Sequence, residues 1–264
     1  MLAFIIRLMK WRMGMSHGEV QPRPAHVEYV PQYASPDLER IKNPDPTKIQ
    51  ITWVGHSTFL IQTSGLNIIT DPIWSKRASP ISFLGPKRHA RPGMAFADLP
   101  KIDIVLISHT HYDHLDRPTI ARLGNSPHYI VPPNVAKWFA QMGITNVTEL
   151  PWWSDTKIAD IEITAVPARH WSRRNFFGTS DAGWGGYVIE SKAGTIYFAG
   201  DTGYHGEYFK EIGRRFSHID LALIPIGAYY PECNVLVPVS HHDGLSKTPA
   251  SKCVPVLVQR DDRS

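Results

Sequence analysis

With 264 residues, 42% hydrophobic and 20% charged, the chain has the size and balance of one large soluble globular domain with a full core. Its net charge of +4 is too small to argue for nucleic acid, though it suits an anionic substrate or a membrane surface. The only two cysteines, Cys233 and Cys253, exclude a disulfide framework and a cysteine zinc site, whereas 13 histidines hint at metal chemistry.

Residues 1–48 read as a leader ahead of the folded domain. Met1 to Met15 is apolar but interrupted by Arg7, Lys10 and Arg12, too short to span a bilayer and followed by no small-residue cleavage site. Two readings of it stay open: a basic amphipathic helix lying on a membrane, or an over-long start, since Met13 and Met15 can each begin the protein. Ser16 to Thr47 is proline-bearing and weakly periodic, and is expected to run extended over the domain. The domain begins near Ile49. Strands are expected at 49–54 and 58–62, then, after the Ser64-Gly65 turn, at 66–70, stopping at Asp71-Pro72: an antiparallel meander. His56 and Asp71 each close a strand, a place from which a side chain can orient metal ligands or serve as a satisfied structural polar group.

Trp74 to Phe96 is long and irregular, with Lys76, Arg77, Lys87, Arg88 and Arg91 among Trp74, Phe83 and Phe96. It reads either as a cradle for a phosphate head group and a lipid tail or as a solvated surface loop. The β-branched run at 102–107 reads as a buried strand that empties into Ser108-His109-Thr110-His111-Tyr112-Asp113-His114-Leu115-Asp116. Packed imidazoles and carboxylates make a poor core but a good metal site, because these are the groups zinc takes when no thiolate is offered. In extended chain His109 and His111 share a side, and a turn after Tyr112 swings Asp113 and His114 towards a second position. Two metals about 3.5–4 Å apart are the arrangement that hydrolyses phosphoesters.

Further on, a short helix is expected at 118–123, a strand at 128–131 with a structural His128, and a helix at 134–142 with Asn134 as its N-cap. Trp152-Trp153 is expected at a sheet edge. One strand is expected over 158–166, leading to His170, followed by an arginine- and phenylalanine-rich loop at 173–183 that reads as a pocket wall. A hairpin at 187–198 ends in Gly200-Asp201, a helix follows at 207–216, and a strand at 219–226 ends near Tyr229. Arg88, Arg173 and Tyr229 are the candidates for touching a substrate.

His-Thr-His-Tyr-Asp-His resembles the HxHxDH signature of the metallo-β-lactamase superfamily. Gly55-His56-Ser57-Thr58-Phe59-Leu60, Thr70-Asp71-Pro72-Ile73-Trp74, Pro167-Ala168-Arg169-His170-Trp171, Trp184-Gly185-Gly186, Phe198-Ala199-Gly200-Asp201-Thr202-Gly203-Tyr204 and Pro225-Ile226-Gly227-Ala228-Tyr229 resemble, in order, its N-acyl-phosphatidylethanolamine-hydrolysing phospholipase D branch. The likeness covers about Ile49 to Pro231, taken as the hydrolase domain 49–231. It implies an α/β fold, the αββα sandwich, and zinc-dependent hydrolysis of an N-acylated phospholipid to phosphatidate and an N-acylethanolamine. It also implies His109, His111 and His170 on one zinc, Asp113 and His114 on a second, Asp201 shared, and Asp113 orienting the attacking water. The implied partner is a phospholipid or other anionic ester met in the cytoplasm or at a membrane periphery, with no nucleic acid; homo-oligomerisation stays open.

Past Pro231 the family's closing segments, including a His-Trp-Gly-Thr-Phe motif whose histidine completes the second metal, are not found in the tail 232–264. The sandwich is therefore expected to be incomplete, with an uncovered sheet edge, a truncated or frameshifted end, and a second metal one nitrogen short unless His241 or His242 stands in. Two zincs are expected from the family, one if the second site fails. Two rival readings are a lactone or ester hydrolase on the same metal core, and a metal-binding remnant with little turnover.

Overall fold

Hydrophobic alternation builds two sheets that face each other. The computed structural model describes residues 34–88, 90–174 and 181–225, together with the strand 256–259. The first sheet runs in order β1 (Gln50–Gly55), β2 (Thr58–Thr63), β3 (Leu66–Thr70), β4 (Ile104–Leu106), β5 (His128–Val131) and β6 (Val147–Glu149). Its first three strands form the antiparallel meander, and β3 to β6 are parallel. The second sheet comprises β7 (Asp155–Ile158), β8 (Ile161–Val166), β9 (Gly186–Ser191), β10 (Gly194–Phe198), β11 (Leu221–Ile224) and β12 (Val256–Gln259), in the reverse spatial order from β12 to β7.

The period of two decides which residues meet. In β4, Ile104 and Leu106 face the second sheet, while Val105 faces the opposite way. In β9 and β10, Ile189, Ile196 and Phe198 join that same inter-sheet core, while Val188 and Tyr197 turn outward. The outer face of the first sheet is covered by α1 (Leu38–Lys42), α2 (Arg117–Leu123) and α3 (Ala136–Ala140) through Ile41, Ile120 and Phe139. The outer face of the second is covered by α4 (Gly206–Arg215) through Ile212. These four layers, helix–sheet–sheet–helix, are the expected αββα sandwich. Among the described residues no helix is long and apolar enough to cross a membrane.

Several elements depart from the sequence reading. The extended leader ends early: Asp37 accepts a hydrogen bond from Arg40 N and starts α1, whose Ile41 is buried and whose Ile41 carbonyl accepts from Gln62 Nε2 at 2.8 Å. The single strand expected over 158–166 is a hairpin, β7–β8, because Ala159 turns the chain at φ 51. Asn134 does not cap α3; it sits at φ 65, donates to Asp181 O at 2.8 Å, and leaves Val135 at the cap position of a five-residue helix. The edge expected to lie open beyond β11 is covered, since β12 pairs antiparallel with it from Leu221↔Gln259 to Ile224↔Val256. A Val-Leu-Val-Gln run is too short to show a sustained period, but it is long enough for four residues of ladder. The leader 1–15, Tyr229, His241 and His242 lie outside the described residues.

Candidate metal centre

Two sheets deliver one cluster. β4 leads into Ser108–Asp113 at the end of the first sheet, β8 leads to His170, and β10 leads to Asp201, so groups far apart in sequence converge at one end of the sandwich. His109 Nε2 lies 2.8 Å from His111 Nδ1, and His170 Nε2 lies 3.3 Å from that same atom. The ligand atoms of His109, His111 and His170 all fall within 4.8 Å of one another. Tetrahedral bonds of 2.0–2.1 Å place neighbouring ligand atoms about 3.3 Å apart, so this trio fits one zinc-sized cation.

A second corner adjoins it. His114 Nε2 lies 3.9 Å from Asp113 Oδ2 and 3.3 Å from Asp201 Oδ2. The same Asp201 oxygen is 4.0 Å from His170 Nε2, so one carboxylate faces both corners. His56 closes this second group: its Nε2 is 3.1 Å from His114 Nε2 and 3.3 Å from Asp113 Oδ2.

Asp71 sets the rings. Fully buried, it accepts from Ser108 N at 2.7 Å and from Ser108 Oγ at 2.6 Å, and it receives the His114 Nδ1 proton at 2.7 Å. Ser108 Oγ, having donated to Asp71, can only accept from His109 Nδ1, 2.9 Å away. Nδ1 of both rings is thus the nitrogen that carries a proton, and Nε2 is the one turned into the two corners. Asp71 itself is held at φ 36, its carbonyl accepting from Thr58 Oγ1 at 2.7 Å. That αL conformation, like φ 51 at His56, is the kind of local strain that clusters at functional sites.

The electrostatics separate the corners. Burial pushes the His109 and His170 imidazoles below the ordinary histidine value and brings His111 down to about 4, so these three rings are neutral at pH 7 with lone pairs to offer. At His114 burial opposes charge, yet Asp201, Asp113 and Asp71 outweigh it and raise the ring well above its usual range. Burial likewise raises Asp201, but His114 beside it wins and holds the carboxyl at about 2. Asp113 is also held low, His114 and His56 overcoming its burial. The second corner is therefore a pair of carboxylates that draws positive charge, whether proton or metal.

Fasteners that sequence reasoning passed over hold the loop in place. Ser172 Oγ is 2.7 Å from Thr110 Oγ1 and accepts from Thr110 N at 3.1 Å, tying the loop after β8 to the histidine loop. Arg174 donates to Leu115 O at 2.7 Å and Thr110 O at 3.1 Å, and stacks over Tyr112. Trp171 packs edge-on to His111, with ring centroids 4.2 Å apart, on an exposed rim. Only the general signal of a Trp-Ser-Arg-Arg run directly after His170 points to any of these. Of the substrate candidates, Arg88 turns inward and donates to Ile73 O at 2.8 Å and Ser75 O at 3.3 Å, bracing its own loop. Arg173 is half-buried beside Ser172.

Gly200 is where the second sheet presses on the motif. It adopts φ +59, and a Cβ there would lie 2.6 Å from Ser108 Cβ. Gly200→Ala is expected to destabilise the fold by ~2–4 kcal/mol through αL strain and overpacking, and to loosen metal by shifting Ser108 off His109. Urea midpoints with and without metal check this; an unchanged midpoint would show that Ser108 has room to move.

A sequence profile described as a beta-lactamase superfamily domain matches residues 66–251, a span that runs past Pro231. Over 192 residues the chain is 40% identical to N-acyl-phosphatidylethanolamine-hydrolyzing phospholipase D 1 of Caenorhabditis elegans, covering 68% of this chain and 54% of that protein. A metal-dependent hydrolase of Methanopyrus kandleri is 31% identical over 184 residues, covering 69% of this chain and 74% of that one. Among solved structures, a metallo hydrolase from the hyperthermophilic archaeon Ignicoccus hospitalis matches at TM-score 0.52 and 26% identity, over 69% of this chain and 72% of that one. The chain spans about half the length of the phospholipase D relative from Caenorhabditis.

Proposed function

We propose, from the premise that this chain belongs to the beta-lactamase superfamily, that it is a zinc-dependent phosphodiesterase acting on a lipid of the N-acyl-phosphatidylethanolamine kind. The observation that carries this reading is the pair of adjoining His/Asp corners sharing Asp201, the arrangement suited to in-line displacement at phosphorus. Likeness to the nematode enzyme of that name supports the substrate class.

His109, His111 and His170 would hold one zinc, and Asp113 and His114 would hold a second, with Asp201 between them. A zinc bound there would supply water acidified to a pKa of about 7 and positive charge for the phosphoryl oxygens. Asp113, held ionised by His114 and His56, would accept a hydrogen bond from the attacking water and so aim it. His114 and His109 cannot turn away, because Asp71 and Ser108 fix their outer nitrogens.

The loop after β3 supports a lipid substrate. Arg77 and Lys87 pair across its base, and its tip exposes Ile81, Leu84 and above all Phe83, at 73%. Apolar tip and basic flanks suit an anionic bilayer surface, so the reading places the protein at a membrane periphery on the cytoplasmic side.

The test is hydrolysis of bis-p-nitrophenyl phosphate and of N-acyl-phosphatidylethanolamine in mixed vesicles by the full chain. Activity on both is expected, abolished by chelator and restored by zinc. Metal-loaded protein that opens lactones or carboxylic esters but no phosphodiester would overturn the substrate assignment and favour the ester-hydrolase reading.

A further inference from the structure

We infer that His56 is itself a metal ligand, supplying the second nitrogen of the corner formed by Asp113, His114 and Asp201. This rests on the metal-centre reading above and adds a ligand drawn from the opposite end of the domain sequence.

The geometry is that of a donor set. His56 Nε2 stands 3.1 Å from His114 Nε2 and 3.3 Å from Asp113 Oδ2, and His114 Nε2 stands 3.3 Å from Asp201 Oδ2. Those separations lie close to the ~3.3 Å edge of a tetrahedron with 2.0–2.1 Å bonds. The nitrogen that faces the corner is the distal one, as it is for His114 and for His109 in the neighbouring trio. A residue that merely oriented His114 would bond its outer nitrogen, and that place is already taken by Asp71 Oδ2 at 2.7 Å. His56 approaches the inner nitrogen instead. Two imidazole nitrogens 3.1 Å apart beside two carboxylates are better satisfied by one shared cation than by one shared proton.

The backbone delivers the ring deliberately. His56 occupies the turn between β1 and β2 at φ 51, after a register irregularity between Trp53 and Gly55. Trp53 Nε1 donates to the His56 carbonyl at 2.9 Å and pins that turn. His56 and Asp201, two groups of this corner, also border one small cleft together with Ser57, Phe198, Leu223 and Pro225. Among the described residues, His56, Asp113 and His114 also form a group whose ligand atoms all lie within 4.8 Å of one another.

The experiment is cobalt titration of the metal-free full chain, followed by visible absorption and by metal content after desalting. The wild type is expected to bind about two cobalt ions. His56→Ala and His56→Asn, the latter suited to the αL turn, should bind about one, losing more than the ~100-fold in second-site affinity that an outer-shell partner can command. The far-ultraviolet circular dichroism and metal-free melting of His56→Asn should match the wild type, which separates ligand loss from misfolding. Two ions at wild-type affinity in a folded His56 variant would overturn the inference and assign the second nitrogen to another residue. A loss of only ~10–100-fold would also overturn it, by making His56 a positioning residue. One ion in both wild type and variant overturns the inference but leaves the metal reading intact, whereas no ion in the wild type removes both.

Discussion

Replacing His111 by alanine is expected to lower phosphodiester hydrolysis by at least three orders of magnitude, about 4 kcal/mol in the barrier, while leaving the metal-free fold intact. The two halves of this expectation have separate causes. His111 Nδ1 is the atom on which the trio converges, 2.8 Å from His109 Nε2 and 3.3 Å from His170 Nε2, so its loss leaves one corner with two nitrogens. The ring does little for the bare fold. Its Nε2 is buried with no hydrogen-bond partner among the described residues, and burial already pushes it to the neutral form. Removing that unsatisfied atom offsets the loss of the Nδ1 contacts to His109 and His170, so the net cost to the apo protein is small. Metal should therefore raise the melting temperature of the wild type more than that of His111→Ala, which keeps only the second corner, because ligand binding to the native state stabilises by mass action, ~2.7 kcal/mol at a hundredfold excess over Kd. A variant that melts lower without metal yet gains the same metal-induced increment would show His111 to be structural.

The histidine loop was legible in the sequence because its density and its position behind a β-branched run have only one economical reading. His170 and Asp201 were not legible in that way. Each is an ordinary residue after an ordinary strand, and only the packing of the second sheet against the first brings them to His114 and His111. Resemblance named them; periodicity could not. His56 shows the limit more sharply. The end of β1 was readable, and so was a role near the metal, but which nitrogen faces which partner depends on one αL residue in a two-residue turn. The short elements escaped for a related reason. α1 and β12 hold five and four residues, below the length at which a hydrophobic period accumulates, and they form because a sheet face and a sheet edge are there to receive them. Asn134 misled because asparagine serves equally as an N-cap and as an αL residue, and tertiary contact with Asp181 chose the second.

Asp71→Asn is the substitution expected to unsettle both corners at once, although it changes neither size nor shape. Asp71 Oδ2 faces the Ser108 hydroxyl and His114 Nδ1, and Oδ1 faces the Ser108 amide. The Ser108 amide is an obligatory donor. The hydroxyl must also donate to Asp71 if it is to accept from His109, and His114 must donate if Nε2 is to remain bare. An asparagine amide group placed at Oδ1 opposes one donor, and placed at Oδ2 opposes two. The less costly orientation still leaves the Ser108 N–H unpaired in a fully buried site, ~1–3 kcal/mol. The alternative relief is for His114 to move its proton to Nε2, which turns a lone pair into an N–H aimed at the metal. Either way the variant should unfold at lower denaturant and bind metal ~10–100-fold more weakly. Asp71→Ala, which removes every acceptor, should be worse in both respects. Paired denaturant midpoints and cobalt affinities decide the matter: an Asn variant matching wild type in both would mean that Asp71 sets neither tautomer. A variant weakened in stability but not in metal affinity would confine its role to the fold.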